Sequence, residues 1–281
     1  MKTKNKIRHI IQLVATIFTN GYILGFIQGK IYTGNIKTVC VPGLNCYSCP
    51  GALGSCPIGA MQAVISGRKH SFSYYAAGII MFFGGVLGRA VCGFLCPFGF
   101  IQDLLYKIPF KKYKLPEKIH NILIKLKYVI AILFVIILPA FLTNKFGIGS
   151  PYFCKLICPA GTLEGGIPLL LSNEGLRSQL GLLFNWKAFI LFVVVISSII
   201  IYRPFCKYLC PLGAFYSFFN KYSFYTMKID MDKCTGCKQC EKVCGMQVKV
   251  TENINSLECI RCGECKKACN FDAIKSGFKI N

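Results

Sequence analysis

Two eleven-residue runs near the C-terminus each carry four cysteines, Cys234-x2-Cys237-x2-Cys240-x3-Cys244 and Cys259-x2-Cys262-x2-Cys265-x3-Cys269. This spacing wraps three thiolates around one [4Fe-4S] cluster and sends the fourth to a neighbouring cluster. The expected ligand sets are Cys234, Cys237, Cys240 and Cys269 for the first cluster, and Cys259, Cys262, Cys265 and Cys244 for the second. Gly236 and Gly263 suit the tight turns, because they carry no Cβ. Zinc knuckles and disulfides are the alternatives, but zinc hooks pair C-x2-C units across a longer spacer.

The other ten of the eighteen cysteines lie beside apolar segments. At 54% hydrophobic residues the chain is too apolar for an ordinary soluble protein of 281 residues, and several membrane spans are expected. Candidates are residues 9–29, 72–91, 128–146 and 187–205, each near the roughly 20 residues that a bilayer core requires. Asn20 and Gly21 interrupt the first. Its basic leader (Lys2, Lys4, Lys6, Arg8) imitates a signal peptide without a cleavage site, so it reads as a retained anchor. The expected architecture is a membrane α-helical domain of about four transmembrane helices over 1–222, with a cysteine-rich outer loop at 30–71. A C-terminal α+β domain of the two-cluster kind follows over 223–281.

Charge sets the expected orientation. Of 33 basic residues, 23 lie in 1–222 against four acids, so the net charge of +22 belongs almost wholly to the membrane part and nucleic acid is a poor partner. Seven lysines crowd the stretch from Lys107 to Lys127, while the 30–71 and 147–186 loops carry few. The positive-inside rule then makes the chain a multi-pass protein of the cytoplasmic membrane with both termini cytoplasmic. Each lysine run reads as a solvated or headgroup-facing surface.

A repeat closes the second and fourth segments: Arg89-x2-Cys92-x2-Leu95-Cys96-Pro97-x-Gly99 and Arg203-x2-Cys206-x2-Leu209-Cys210-Pro211-x-Gly213. A C-x3-C spacing spans one helical turn, so both sulfurs of a pair can share a face, and the proline then stops the helix. Cys92, Cys96, Cys206 and Cys210 are thus candidate ligands of an inner cluster, with Arg89 and Arg203 placed to offset its charge. A third copy, Cys154-x3-Cys158-Pro159-x-Gly161, lacks the arginine. The 30–71 loop adds Cys40, Cys46, Cys49 and Cys56, the last again closing on C-P-x-G. These six outer cysteines could hold a further cluster, form a redox dithiol, or make structural disulfides, which are normal in an oxidising compartment.

The tail, from "IDMDKCTGCKQC" through "CIRCGECKKACNFDAI", resembles bacterial two-cluster ferredoxins, except that Gly245 and Asn270 replace the usual proline after the fourth cysteine, which implies looser turns there. With the repeated C-x3-C-P motifs, nearly the whole chain resembles the polyferredoxin-type membrane proteins of the NapH and NosR class, without the large extracytoplasmic domain of the NosR type. The resemblance implies an anaerobic electron-transfer component of a redox complex rather than a stand-alone enzyme, with protein redox partners as donor and acceptor. Two readings of other classes stay open: a transmembrane thiol-disulfide or metal reductant relay, and an iron-sulfur sensor or assembly factor.

No C-x-x-C-H, Walker or G-x-G-x-x-G motif is present, and His9, His70 and His120 are poorly placed as an axial pair, so haem, NAD and ATP are not expected. Quinol is a possible partner through Gln12, Asn20, Gln28 or Gln102, although each of these residues is more often a helix-packing group.

Overall fold

The computed structural model describes residues 6–67, 73–145 and 148–279. Lys2 and Lys4 of the basic leader and His70 lie outside the described residues, as does the last residue of the expected third span.

Two helices, rather than four, are long and apolar enough to cross a membrane among the described residues: Glu117–Phe141 and Leu182–Ile200. Both turn apolar side chains outward, including Ile132, Phe141, Phe189 and Phe192, which are more than half exposed. Such a surface suits hydrocarbon and not water. The first begins at residue 117 and not at 128, so the end of the lysine-rich stretch is helix. It comprises α7 (Glu117–Ile130), a wider turn over Ala131–Ile137 ahead of Pro139, and α8 (Leu138–Phe141).

The other two expected spans are shorter and broken. Residues 9–29 form α1 (Lys6–Asn20) and α2 (Ile23–Gln28), divided at Gly21, where a Cβ would lie 2.7 Å from the Ile17 carbonyl oxygen. The 72–91 segment yields α4 (Tyr74–Leu87), only 14 residues, ended by Gly88 in the left-handed region. Between α2 and α4 the 30–71 loop folds back and carries α3 (Pro57–Ile65).

Three of the four C-P-x-G units build the same local structure. A cysteine in extended backbone precedes a helix with proline in its first turn, where the missing N–H costs nothing. This gives α3, α6 (Pro97–Tyr106) and α14 (Pro211–Phe219), whereas Cys158 is followed by a helical stretch running from Gly161–Gly166 into α10 (Ile167–Ser172). The first cysteine of each C-x3-C sits on a five-residue helix: α5 (Ala90–Phe94), α9 (Tyr152–Leu156) and α13 (Pro204–Tyr208). α11 (Glu174–Arg177) leads into α12 (Leu182–Ile200).

The tail pairs β1 (Tyr225–Ile229) antiparallel to β2 (Ile274–Phe278), with Tyr225 opposite Phe278 and Ile229 opposite Ile274. α15 (Gln239–Lys242) and α16 (Glu264–Ala268) lie between the strands. The tail is not a loose appendage: Met227, Met246, Val248, Val250, Ile260 and Ile274 belong to the same buried apolar cluster as Val91, Phe98, Phe205 and Leu212.

Candidate iron-sulfur sites

The two tail runs bend alike. Left-handed residues occur two and four positions after the first cysteine in both, Gly236 and Lys238 in one and Arg261 and Gly263 in the other. Alternation of this kind turns successive N–H groups toward one centre. Each run also closes on a left-handed residue three positions after its fourth cysteine, Gln247 and Asp272. The turns without proline are therefore defined ones. Gly245 has a further reason: a Cβ there would lie 2.5 Å from the ring of Tyr202.

Two separate pockets result. One is lined by Cys234, Cys237, Cys240 and Cys269, the other by Cys244, Cys259, Cys262 and Cys265, the crossed sets the spacing predicts. Cys237 is exposed and Cys265 buried, so the first site faces outward and the second faces the helices. Burial pushes the Cys265 thiol up, helped by its three neighbouring cysteines.

The second site is bolted to the repeat motifs. Arg261 donates to Leu87 O at 3.1 Å and Ser223 Oγ at 2.6 Å, and also to the carbonyls of Asn220 and Tyr225. Asn220 Nδ2 donates to Ser256 O and Cys259 O at 2.6 and 2.8 Å. Gly93 meets Ile260 so closely that a Cβ would lie 2.5 Å from its carbonyl oxygen. Glu258, beside Cys259, accepts from Arg89 Nη1 at 2.7 Å and from Lys127 Nζ at 2.6 Å. Burial opposes the Glu258 charge, yet Arg89 and Lys127 outweigh it and hold the carboxyl below its ordinary range.

Cys92, Cys96, Cys206 and Cys210 are all buried and within electrostatic range of one another. Their two motifs are locked by an exchange of arginines. Arg89 of the first donates to Cys206 O at 3.3 Å, and Arg203 of the second donates to Cys92 O at 2.5 Å. Both guanidiniums also hold carboxylates, Glu258 for Arg89 and Asp103 for Arg203, the latter at 2.7 and 2.5 Å. Their charge is thus shared between a carboxylate and the cysteine backbone. Asp103 also binds Arg8 and accepts from Gln12 at 2.9 Å. It is buried, which would raise its pKa, but Arg203 and Arg8 prevail and lower it to about 2.

The outer six cysteines divide. Cys46, Cys56, Cys154 and Cys158 line a cavity of about 480 Å³, together with Lys37, Tyr47, Phe153 and Lys187. Cys40 Sγ instead lies 3.6 Å from Ser55 Oγ, and Cys49 is buried with its carbonyl 3.4 Å from Lys37 Nζ. No cysteine forms a disulfide. Among the described residues no three Cys, His, Asp or Glu side chains converge on a single metal ion.

Several residues with clear roles were read from sequence as bland or not singled out. Gln102 Nε2 donates to Cys206 Sγ at 3.0 Å and Gln62 Nε2 to Cys154 Sγ at 3.3 Å; both follow a C-P-x-G cysteine by six residues, a regularity visible in the sequence. Glu164 accepts from Cys46 N at 2.9 Å, and burial lifts its carboxyl to about 7. Lys127, expected on a solvated face, is fully buried on Glu258, and Lys37 is also buried. His120, read from sequence only as a poor haem ligand, is buried on α7 with Nδ1 2.9 Å from Tyr208 Oη. Of the residues named for quinol, Gln12 and Gln102 are committed to the contacts above, and Gln28 is exposed.

A 4Fe-4S binding domain family matches the chain three times, at 70–116, 128–172 and 182–229, and a second 4Fe-4S binding domain family matches 226–248. The chain is similar to the uncharacterized protein MJ0749 of Methanocaldococcus jannaschii, with 33% identity over 72% of this chain and 69% of that one. It belongs to this family of 4Fe-4S membrane-associated electron-transfer proteins. It is also 26% identical to the regulatory protein NosR of Stutzerimonas stutzeri, over 62% of this chain and 22% of NosR. To the methylamine utilization ferredoxin-type protein MauN of Methylorubrum extorquens it is 26% identical, over 60% of this chain and 52% of MauN. No solved structure matches. Each of the three matches of the first family contains one C-x3-C-P motif, so the repeat read from sequence coincides with the repeated family match.

Proposed function

We propose that the chain is a multi-pass iron-sulfur relay of the cytoplasmic membrane, moving electrons between a cytoplasmic or membrane donor and an extracytoplasmic or membrane partner. Clusters bound at its cysteines would supply one-electron transfer. The observation that carries the reading is the unbroken packing from one cysteine group to the next. The exposed tail site adjoins the buried one, the buried one is fixed through Glu258, Ile260 and Arg261 to the motifs of Cys92 and Cys206, and Gly43 of the 30–71 loop lies against Cys96, its Cβ direction 3.0 Å from the Cys96 Cα. Around the buried tail site and the inner four cysteines the chain keeps water out: Arg89, Arg203 and Arg261 are at most 1% exposed.

Both long helices crossing the bilayer, with the lysines of 107–127 and the tail on the cytoplasmic side, is the topology the charge pattern supports. A thiol-disulfide relay needs accessible thiolates. Cys40, Cys49, Cys56 and Cys158 are instead buried, which leaves few of these thiols open to exchange.

The test is iron and acid-labile sulfide per chain, with EPR, on anaerobically purified protein. The reading predicts iron beyond the tail's two clusters, lost in part on Cys92→Ala or Cys206→Ala. A content of only about eight irons, unchanged by either substitution, would overturn it.

A further inference from the structure

The four C-P-x-G cysteines, Cys56, Cys96, Cys158 and Cys210, associate in two pairs, and the pairs are built to one plan. In the pair nearer the tail, Gln102 reaches from six residues after Cys96 to the first cysteine of the facing C-x3-C, Cys206. In the other, Gln62 reaches from six residues after Cys56 to the first cysteine of its facing C-x3-C, Cys154. Each glutamine also donates to the carbonyl four residues earlier, Phe98 at 3.4 Å and Ile58 at 3.2 Å, so each side chain is aimed by its own helix. Gln62 is further fixed by accepting from Phe153 N at 3.0 Å. The correspondence maps Cys56 onto Cys96, Cys154 onto Cys206 and Cys158 onto Cys210, and leaves one vacancy, the counterpart of Cys92.

Cys46 fills it by a different route. The 30–71 loop has no C-x3-C, but its fold brings Cys46 to the facing motif, where the Cβ direction of Gly161 lies 3.6 Å from Cys46 Sγ. Glu164, six residues after Cys158, receives the Cys46 N–H. The Cβ direction of Gly59 points to Cys154 Sγ at 4.0 Å. Side chains at these two glycines would occupy the space beside the sulfurs. Lys187 stands on the same cavity, an inward cation where the other pair uses arginines. The family matches start at residue 70, so they reach Cys154 and Cys158 but neither Cys46 nor Cys56.

We propose that Cys46, Cys56, Cys154 and Cys158 are the ligand set of a separate [4Fe-4S] cluster, that Gln62 is its positioning hydrogen-bond donor, and that Cys40 and Cys49 are not ligands. This deepens the relay reading by assigning its far end, and it stands or falls separately. A hydrogen bond to a ligand sulfur stabilises the more negative, reduced state and so raises the potential. Gln62 therefore sets the potential of this site alone.

The experiment uses the full chain, purified anaerobically, with metal analysis and EPR-monitored redox titration. Wild type is expected to hold about sixteen irons, four per cluster. Cys46→Ala and Cys56→Ala should each lose about four irons and one signal while the tail signals, which report folding, persist. Cys40→Ala and Cys49→Ala should lose none. Gln62→Met should keep the iron but lower the midpoint of the signal that Cys46→Ala removes, by roughly the 59 mV of a tenfold change in oxidised-to-reduced ratio. About twelve irons in wild type, lost in part on Cys92→Ala, would overturn this site and leave the relay standing. Iron lost from Cys40→Ala or Cys49→Ala would overturn the ligand set, and an unmoved midpoint in Gln62→Met would overturn the glutamine's role.

Discussion

Glu258 is a buried carboxylate between the tail and the helices, and replacing it tests whether docking of the tail governs electron delivery. It satisfies two cations that are themselves fully buried, Arg89 and Lys127, and accepts from Tyr128 Oη at 3.2 Å. Glu258→Gln keeps the shape but leaves those charges without a counter-ion. Removing one partner of a buried pair costs about 3–5 kcal/mol. Arg89 keeps Leu257 O at 2.8 Å and Cys206 O, so the lower end applies, about 3 kcal/mol, or roughly a hundredfold in the docking equilibrium at about 1.4 kcal/mol per tenfold. Hydrogen exchange should show protection lost at Asn220, Ser223 and 256–261 while both tail cluster signals survive. Rapid-freeze EPR should show slower appearance of reduced signal beyond the tail. Adding Lys127→Met should recover part of the loss, since one stranded charge is removed with it. A Glu258→Gln protein with wild-type exchange and wild-type kinetics, or a double variant whose losses simply add, would refute the role of this ion cluster.

Two further substitutions probe the same frame. Asp103→Asn breaks the clamp joining Arg8 and Arg203 and should lower stability by about 3 kcal/mol or more. Because the folded pKa of Asp103 lies at about 2, below the ordinary 3.8, its contribution is complete above pH 4 and fades only as pH falls toward 2. Thermal unfolding at pH 5 and pH 8 should therefore show the same gap between wild type and variant; a gap that closes by pH 5 would contradict the ion pairing. Gly245→Ala drives a methyl into the Tyr202 ring and should cost about 1–3 kcal/mol by overpacking, relieved when Tyr202→Ala is added. If Gly245→Ala melts like wild type, the space argument for the missing proline fails.

The parts of this molecule that are legible in the sequence are those fixed by short spacing. The crossed tail sets follow from runs of eleven residues, and the three C-x3-C-P copies from their own repetition. Span boundaries were less legible, because hydropathy does not register where a helix is needed for another purpose. α7 starts eleven residues before the expected span and carries Lys127 to Glu258, and α4 ends at Gly88, directly before Arg89. The choice of Cys46 over Cys49 was not legible at all: three residues separate them, and only the fold of the 30–71 loop decides which one meets Gly161. The buried ions were hidden for a similar reason. Arg8 and Asp103 are ordinary in their own stretches of chain, and the repeat that marks Arg203 gives no sign of the carboxylate it meets.

The same loop answers the main physical objection to a relay through this chain. About 30 Å of hydrocarbon separates two membrane faces, too far for cysteine groups that sit strictly at opposite surfaces. Neither group is held to a surface by its helices: α4, at 14 residues, rises only about 21 Å, and Cys92 and Cys206 of the tail-side group sit on separate five-residue helices. The loop closes the rest. Tyr216, six residues after Cys210 and fully buried, donates to Pro42 O at 2.8 Å. One buried side chain therefore ties the 30–71 loop directly to the helix that follows Cys210. The position six residues after the cysteine is thus used four times, by Gln62 and Gln102 to reach a sulfur and by Glu164 and Tyr216 to hold the inserted loop.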